Sequence, residues 1–216
     1  MSDLALDAEL NPQAKSVEAE PTARKRPKPG ERRVQILQAL ASMLEQPGAE
    51  RITTAALASK LGVSEAALYR HFASKAQMFE GLIEFIEQSV FTLVNQITER
   101  ELEPLVRTRK LVVMVLQFAE KNPGMTRVMV GDALVFEHDR LQERMNLFFD
   151  KLESGFKQGL RDAAAANGHL TPTLDAQVRA SVIMAFVMGR LQRFTRSGFK
   201  RLPSEHLDAS LVTILD

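Results

Sequence analysis

Between residues 53 and 75 the chain places hydroxyls, cations and a phenol at spacings that suit a nucleic-acid backbone. Thr53, Thr54 and Ser64 stand near the starts of two short helical patterns. There, side-chain hydroxyls and unpaired first-turn amides can share phosphate oxygens. Tyr69 and Lys75 add a phenolic hydroxyl and an ammonium for the same backbone. Arg70 lies late in the second helix, which favours a phosphate over a base edge. Glu65 and Ala66 sit at that helix's N-terminal end, where base contact is expected, and the Ala66 methyl can pack on a thymine methyl. His71 has two readings, a DNA contact or a structural hydrogen bond inside the two-helix unit.

The elements that hold these groups are legible in the same stretch. Thr54 is placed to cap the first helix and Ser64 the second, since a side-chain oxygen accepts from orphan first-turn amides. Ala55, Ala56, Leu57, Ala58 and Leu61 are small or apolar and allow close packing. Gly62 falls where the chain must leave the helix, a position that favours a left-handed residue. Val63 plugs the corner, and Ala67, Leu68 and Phe72 turn the second helix towards the core, leaving Glu65, Ala66, Tyr69 and Arg70 outward. This is the layout of a helix-turn-helix over 53–72, whose second helix enters a major groove N-terminus first. The alternative is an ordinary helical hairpin in an all-α core.

The string Gly-Val-Ser-x-x-x-Leu-Tyr-x-His-Phe at 62–72, with Ser74-Lys75 and Phe79 after it, resembles the signature of the tetracycline-repressor (TetR) family of bacterial transcription factors. The likeness is close over about residues 30–80 and, beyond them, one of length and helical pattern. It implies two half-sites read by a homodimer on double-stranded, pseudo-palindromic DNA.

Charge is distributed unevenly behind a net value of +1. Residues 1–23 carry five acids and one base, whereas residues 24–33 carry six bases and one acid. Arg24, Lys25 and Arg26 open that basic arm, directly ahead of the helix-turn-helix, where it suits phosphate or minor-groove contact. A solvated charged linker is the plainer reading of the same run. Residues 1–29 hold four prolines and no sustained helical period, and read as a disordered tail.

The remainder predicts an all-α chain of nine helices. The first runs from about Glu31 to Glu45, ended by Pro47-Gly48. After the helix-turn-helix, a long apolar helix starts past Ser74 and reaches about Arg100, packing on both sides. Further helices are expected at Leu105–Lys121, Met125–Ala133, Phe136–Ala166 with a glycine interruption at Gly155 and Gly159, Thr171-Pro172 to Arg196, and Pro203 to Ile214. The domains follow: a tail at 1–29, a DNA-binding unit at 30–75 and a helical dimerisation and partner-binding unit at 76–216. Ala180, Ser181, Ala185 and Gly189, between Val178, Val182, Phe186 and Met188, would let a partner helix approach closely, or line an intrachain core.

Catalytic chemistry is not expected. His71, His138, His169 and His206 are isolated, with no metal-pair spacing, and the absence of cysteine removes thiolate chemistry. Asp132, Glu137, Asp139 and Glu143 alternate with Arg140 and Arg144, which reads as an i,i+4 salt-bridged surface. No cofactor or metal is expected. With no apolar run approaching 18 residues and no apolar leader, a cytoplasmic location is expected.

Later strings sharpen the resemblance. Leu82-Ile83-Glu84-Phe85-Ile86-Glu87, Asn122-Pro123-Gly124, Ala133 to Gln142 and Arg193 to Lys200 are similar to a branch of the TetR family that acts in nucleoid occlusion. That resemblance implies a DNA-bound inhibitor of the tubulin-like division protein FtsZ. Its partner surface would fall at Phe85 and Asn122, with Lys121 keeping a positive charge beside it and Met114 in the same region but different in type. Core packing is the other reading of Phe85. The ligand-responsive repressor remains the alternative function, with a pocket built from Phe, Met and Leu residues.

Overall fold

A computed structural model describes residues 30–46, 52–168 and 171–215. The tail with Arg24, Lys25 and Arg26, the Pro47-Gly48 terminator and His169 lie outside the described residues.

Among these residues the elements are α1 (Glu31–Leu44), α2 (Thr54–Leu61), α3 (Glu65–Tyr69), α4 (Lys75–Arg100), α5 (Pro104–Lys121), α6 (Pro123–Met129), α7 (Asp139–Ala166), α8 (Pro172–Arg196) and α9 (Leu207–Leu215). A 3-10 turn at Asp132–Leu134 precedes α7. Thr53, not Thr54, caps α2, its side chain accepting from the Ala56 amide. Thr53 is the extended residue before the helix, whereas Thr54 is already the first helical one. Ser64 caps α3 and Ser74 caps α4 in the same manner.

One apolar core runs from α1 to α9, with Phe72, Phe79, Phe148 and Phe156 among its fully buried side chains. α4 buries Met78, Phe79, Leu82, Ile83, Ile86 and Val90 in its first four turns, and no residue fully after that. Full burial on α4 therefore stops at Val90, beyond which Phe91, Val94 and Ile97 pack against the core while partly exposed.

α7 starts at Asp139 rather than Phe136. The His138 side chain accepts from the Arg140 amide, which sets the start there, and Val135 and Phe136 are left exposed in the preceding turn. α7 is unbroken at Gly155 and Gly159. Gly159 is instead a packing residue, because a Cβ there would meet the Thr108 Oγ1 at 2.2 Å.

The charged residues at the start of α7 bond across to α4 rather than along their own helix. Arg140 pairs with Glu80 at 2.7 Å and Arg144 with Glu87 at 2.6 Å. Hydrogen bonding to Glu87 raises the Arg144 pKa above its ordinary value. Glu137 pairs with Lys75 at the foot of α4. At the other end of α7, Asp162 pairs with Arg107 of α5 at 3.0 Å. α8 packs back along α7, so its last turn returns to the end of the body that carries α1–α3. α6 closes that end on α1, with no room at Gly124 for a side chain: a Cβ would lie 2.0 Å from the Ala41 carbonyl oxygen.

Candidate nucleic-acid interface

α2 and α3 form a helix-turn-helix. The turn at Gly62 has φ 64°, ψ 39°, a left-handed conformation that costs glycine nothing. The Val63 amide reaches back to the Ala58 carbonyl and the Gly62 amide to Ser59, closing the helix end in a Schellman arrangement. Val63 is thereby folded onto the core, and Leu68 and Phe72 are buried beneath α3.

What remains outward is the proposed reading surface. Thr53, Ser64, Glu65, Ala66, Tyr69 and Arg70 are exposed, and Thr54 is half-buried. The Thr54 hydroxyl donates to the Glu65 carboxylate at 2.6 Å, and the Tyr69 hydroxyl stands 3.5 Å from the same Thr54 oxygen. A capped start to α3, a carboxylate held at its first turn and a phenol one turn on thus form one polar ridge. Such a ridge suits major-groove docking, with hydroxyls on phosphates and the first turn on base edges.

Two cations beside this ridge already have partners within the protein. The Lys75 ammonium is bonded to Glu137, so a phosphate there would compete with a carboxylate from the body. The His71 backbone carbonyl accepts from Arg33 at 2.5 Å and its amide donates to the Leu68 carbonyl, neither bond engaging the imidazole. Arg33 also lies 4.2 Å over the Phe72 ring and so braces the end of α3 from α1. The sequence counted Arg33 only as part of the basic arm, because its partner stands 38 residues away.

On α4, Phe85 is 48% exposed, so the core does not claim it. Met114 is 9% exposed and lines a cleft of about 430 Å³ between α4 and α5, with Ile97, Arg109, Lys110, Val113 and Gln117. Lys121 is exposed. The Asn122 side-chain amide donates to the Phe118 carbonyl at 2.7 Å, which ties it to the end of α5. Phe85, Lys121 and Asn122 do not line the cleft.

Along the outside of α8, Leu174, Val178, Ser181, Val182, Ala185 and Gly189 are exposed, with Val178 at 57% and Val182 at 52%. Ala180 is fully buried and belongs to the intrachain core. Among the described residues no group of three or more His, Asp or Glu could hold a metal, and no helix is long and apolar enough to cross a membrane.

Comparison with known proteins agrees with this geometry. Residues 36–82 match the bacterial regulatory proteins of the tetR family, and residues 102–214 match the SlmA-like form of the tetracyclin repressor-like C-terminal domain. The nucleoid occlusion factor SlmA of Idiomarina loihiensis is 52% identical over 178 residues, 82% of this chain and 90% of that protein. The protein of the same name from Vibrio cholerae is 51% identical, again over 82% of this chain and 90% of its own length. Among solved structures, the fatty acid degradation regulator FadR from Bacillus halodurans superposes with a TM-score of 0.70 at 14% identity, covering 88% of this chain and 97% of that one. FadR from Bacillus subtilis, in complex with stearoyl-CoA, gives 0.67 at 12%, covering 85% and 97%. Those two similarities establish the fold, and the identity to the occlusion factors goes further: the chain belongs to the SlmA family of TetR-type DNA-binding proteins.

Proposed function

We propose that this protein is a sequence-specific nucleoid occlusion factor that, bound to chromosomal sites as a homodimer, inhibits FtsZ ring assembly and so prevents septation over the nucleoid. Residues 30–75 serve as the reading unit and residues 76–216 as the dimerisation and partner-binding unit, acting in the cytoplasm on the nucleoid. The observation that carries the partner half is Phe85: a large aromatic ring, half-exposed on a helix whose other apolar residues nearby are buried. An aromatic anchor of this kind commonly dominates a protein interface. Lys121 and the open α4–α5 cleft lie on neighbouring elements, available to an extended acidic or apolar segment.

Dimerisation is supported by the α8 stripe. Val178 and Val182 stay exposed with Ser181, Ala185 and Gly189 between and after them, so a second copy could lie close against the helix. A two-fold pair would also supply the two recognition helices that a palindromic site requires.

The test is binding of purified protein to purified FtsZ, with and without DNA fragments the protein itself selects, for wild type and Phe85→Ala. Binding that strengthens with DNA and drops at least tenfold in the variant is expected. DNA selection without any FtsZ binding would instead leave a conventional repressor. One feature favours that second reading, a further cleft of about 430 Å³ lined by Leu105, Leu160, Ala163, Leu174 and Arg179. A small apolar ligand that released DNA would establish it.

A further inference from the structure

Charge along α8 and the loop after it has one sign. Residues 176–204, between Asp175 and Glu205, hold six bases and no acid. Three of the six are engaged: Arg179 with the Leu215 carbonyl, Arg190 with the Glu205 carbonyl and the Ser210 hydroxyl, and Arg193 with Glu205 at 3.1 Å. Arg196, Lys200 and Arg201 are exposed, and among the described residues no acid lies within ion-pair distance of them.

Arg196 ends α8, and the loop after it that presents Lys200 and Arg201 is built rather than loose. Gly198 and Phe199 are both left-handed, at φ 60° and 65°, and close α8 with bonds to Thr195 and Phe194. Phe199 is not glycine, and its conformation is held by an edge contact to Phe194 at 5.1 Å and by the Arg127 guanidinium 5.1 Å above its ring. The Ser197 hydroxyl then accepts from the amides of Lys200 and Arg201, at 3.1 and 2.9 Å.

Position gives the cluster its meaning. The start of α7 is tied to the foot of α4 through Glu137–Lys75 and Arg140–Glu80, and α8 runs back to that same end. Arg127, which covers Phe199, belongs to α6, whose Gly124 rests on α1. The three cations therefore stand on the end of the body that adjoins the helix-turn-helix.

We propose that Arg196, Lys200 and Arg201 form a second, sequence-independent surface for DNA phosphates, acting on the duplex that the helix-turn-helix already holds. This rests on the DNA-binding reading above. Once α3 is docked, the polyanion is tethered nearby at high effective concentration, so even weak phosphate attraction adds to the complex. A one-signed surface works over about 8 Å at physiological salt, without needing close fit. An anionic bilayer is the other polyanion. The cluster offers it a single exposed neighbour for insertion, Leu202, whereas duplex DNA needs charge alone.

The test uses the full chain and fluorescence anisotropy across a sodium chloride series, on a duplex the protein selects and on a scrambled one. The variant is Arg196→Gln with Lys200→Gln and Arg201→Gln. The expected result is an equal fold-loss of affinity on both duplexes. The slope of log K against log salt should become shallower by about 0.9 for each phosphate that is no longer neutralised. The charge-preserving set Arg196→Lys, Lys200→Arg and Arg201→Lys should bind as wild type does. Unchanged affinity and slope would overturn the proposal. So would a loss confined to the selected duplex, or an equal loss in the charge-preserving set. Loss of sedimentation with phosphatidylglycerol vesicles, with DNA binding intact, would overturn it in favour of a bilayer. A wild type that binds neither duplex would show that the DNA-binding reading itself fails, and the proposal with it.

Discussion

Ser64 carries two duties that can be separated. Its hydroxyl accepts from the Ala67 amide at 3.3 Å, which caps α3, and it is exposed on the face that would meet phosphates. Ser64→Ala leaves the amide unpaired and should cost about 1 kcal/mol, read as a lower urea midpoint. Ser64→Asp keeps the cap and should leave the midpoint near wild type, yet it sets a negative charge against the DNA backbone. Its DNA affinity should fall by tenfold or more. If Ser64→Asp bound DNA as wild type does, α3 would not approach phosphates at its start. Arg33 shows the other kind of residue at this scale, a cation of the basic arm that is engaged in structure over Phe72.

At the level of elements, the α4–α5 connection is stapled by charge. Glu101 accepts from Lys110 at 2.5 Å, and it also accepts from the Glu103 amide. The Lys110 hydrogen bond, followed by that backbone bond, lowers the Glu101 pKa below the ordinary carboxylate value. A depressed folded-state pKa means that this stabilisation is present at neutral pH. It is lost as pH falls through the lowered value. Lys110→Ala should therefore leave the acid-denaturation profile less steep on the carboxylate side, with a small effect because Lys110 is exposed. Profiles of equal steepness would show the pair to be idle.

Where the structure departs from the sequence reading, the cause is distance along the chain. α2, its Gly62 turn and α3 are legible because caps, a left-handed glycine and apolar spacing all act within a few residues. Phe136 looks helical by period, but whether α7 includes it is decided by the His138 cap. Arg140 has Glu137 and Glu143 three residues away on either side and chooses Glu80 instead, 60 positions back, while Arg144 pairs with Glu87 across 57. Ala180 shares its small size with Ser181 and Ala185, and only the rotation of α8 sends it inward. The outward residues of α2 and α3 could be read from sequence for the same local reason. The cations at and just after the end of α8 could not, because a net charge of +1 averages them away and their nearness to α1–α3 exists only in the fold.

For the whole molecule, one buried joint matters most. α6 meets α1 backbone to backbone at Gly124, with space for a hydrogen and nothing larger. The Lys75–Glu137 pair adds a second tie at the foot of α4. A body joined this closely to its recognition helices cannot swing them independently, so a dimer would behave as a caliper set to one opening. Each base pair inserted between half-sites moves them apart by about 3.4 Å and turns them by roughly 35°. Affinity should collapse on adding one or two base pairs to a selected site, measured across a set of spacer lengths. Gly124→Ala, which forces the joint open, should bind the best site less well and discriminate less among spacers. Flat affinity across spacers in the wild type would mean that the caliper yields. On this reading the spacing of the two half-sites within each site is written in the absence of one methyl group.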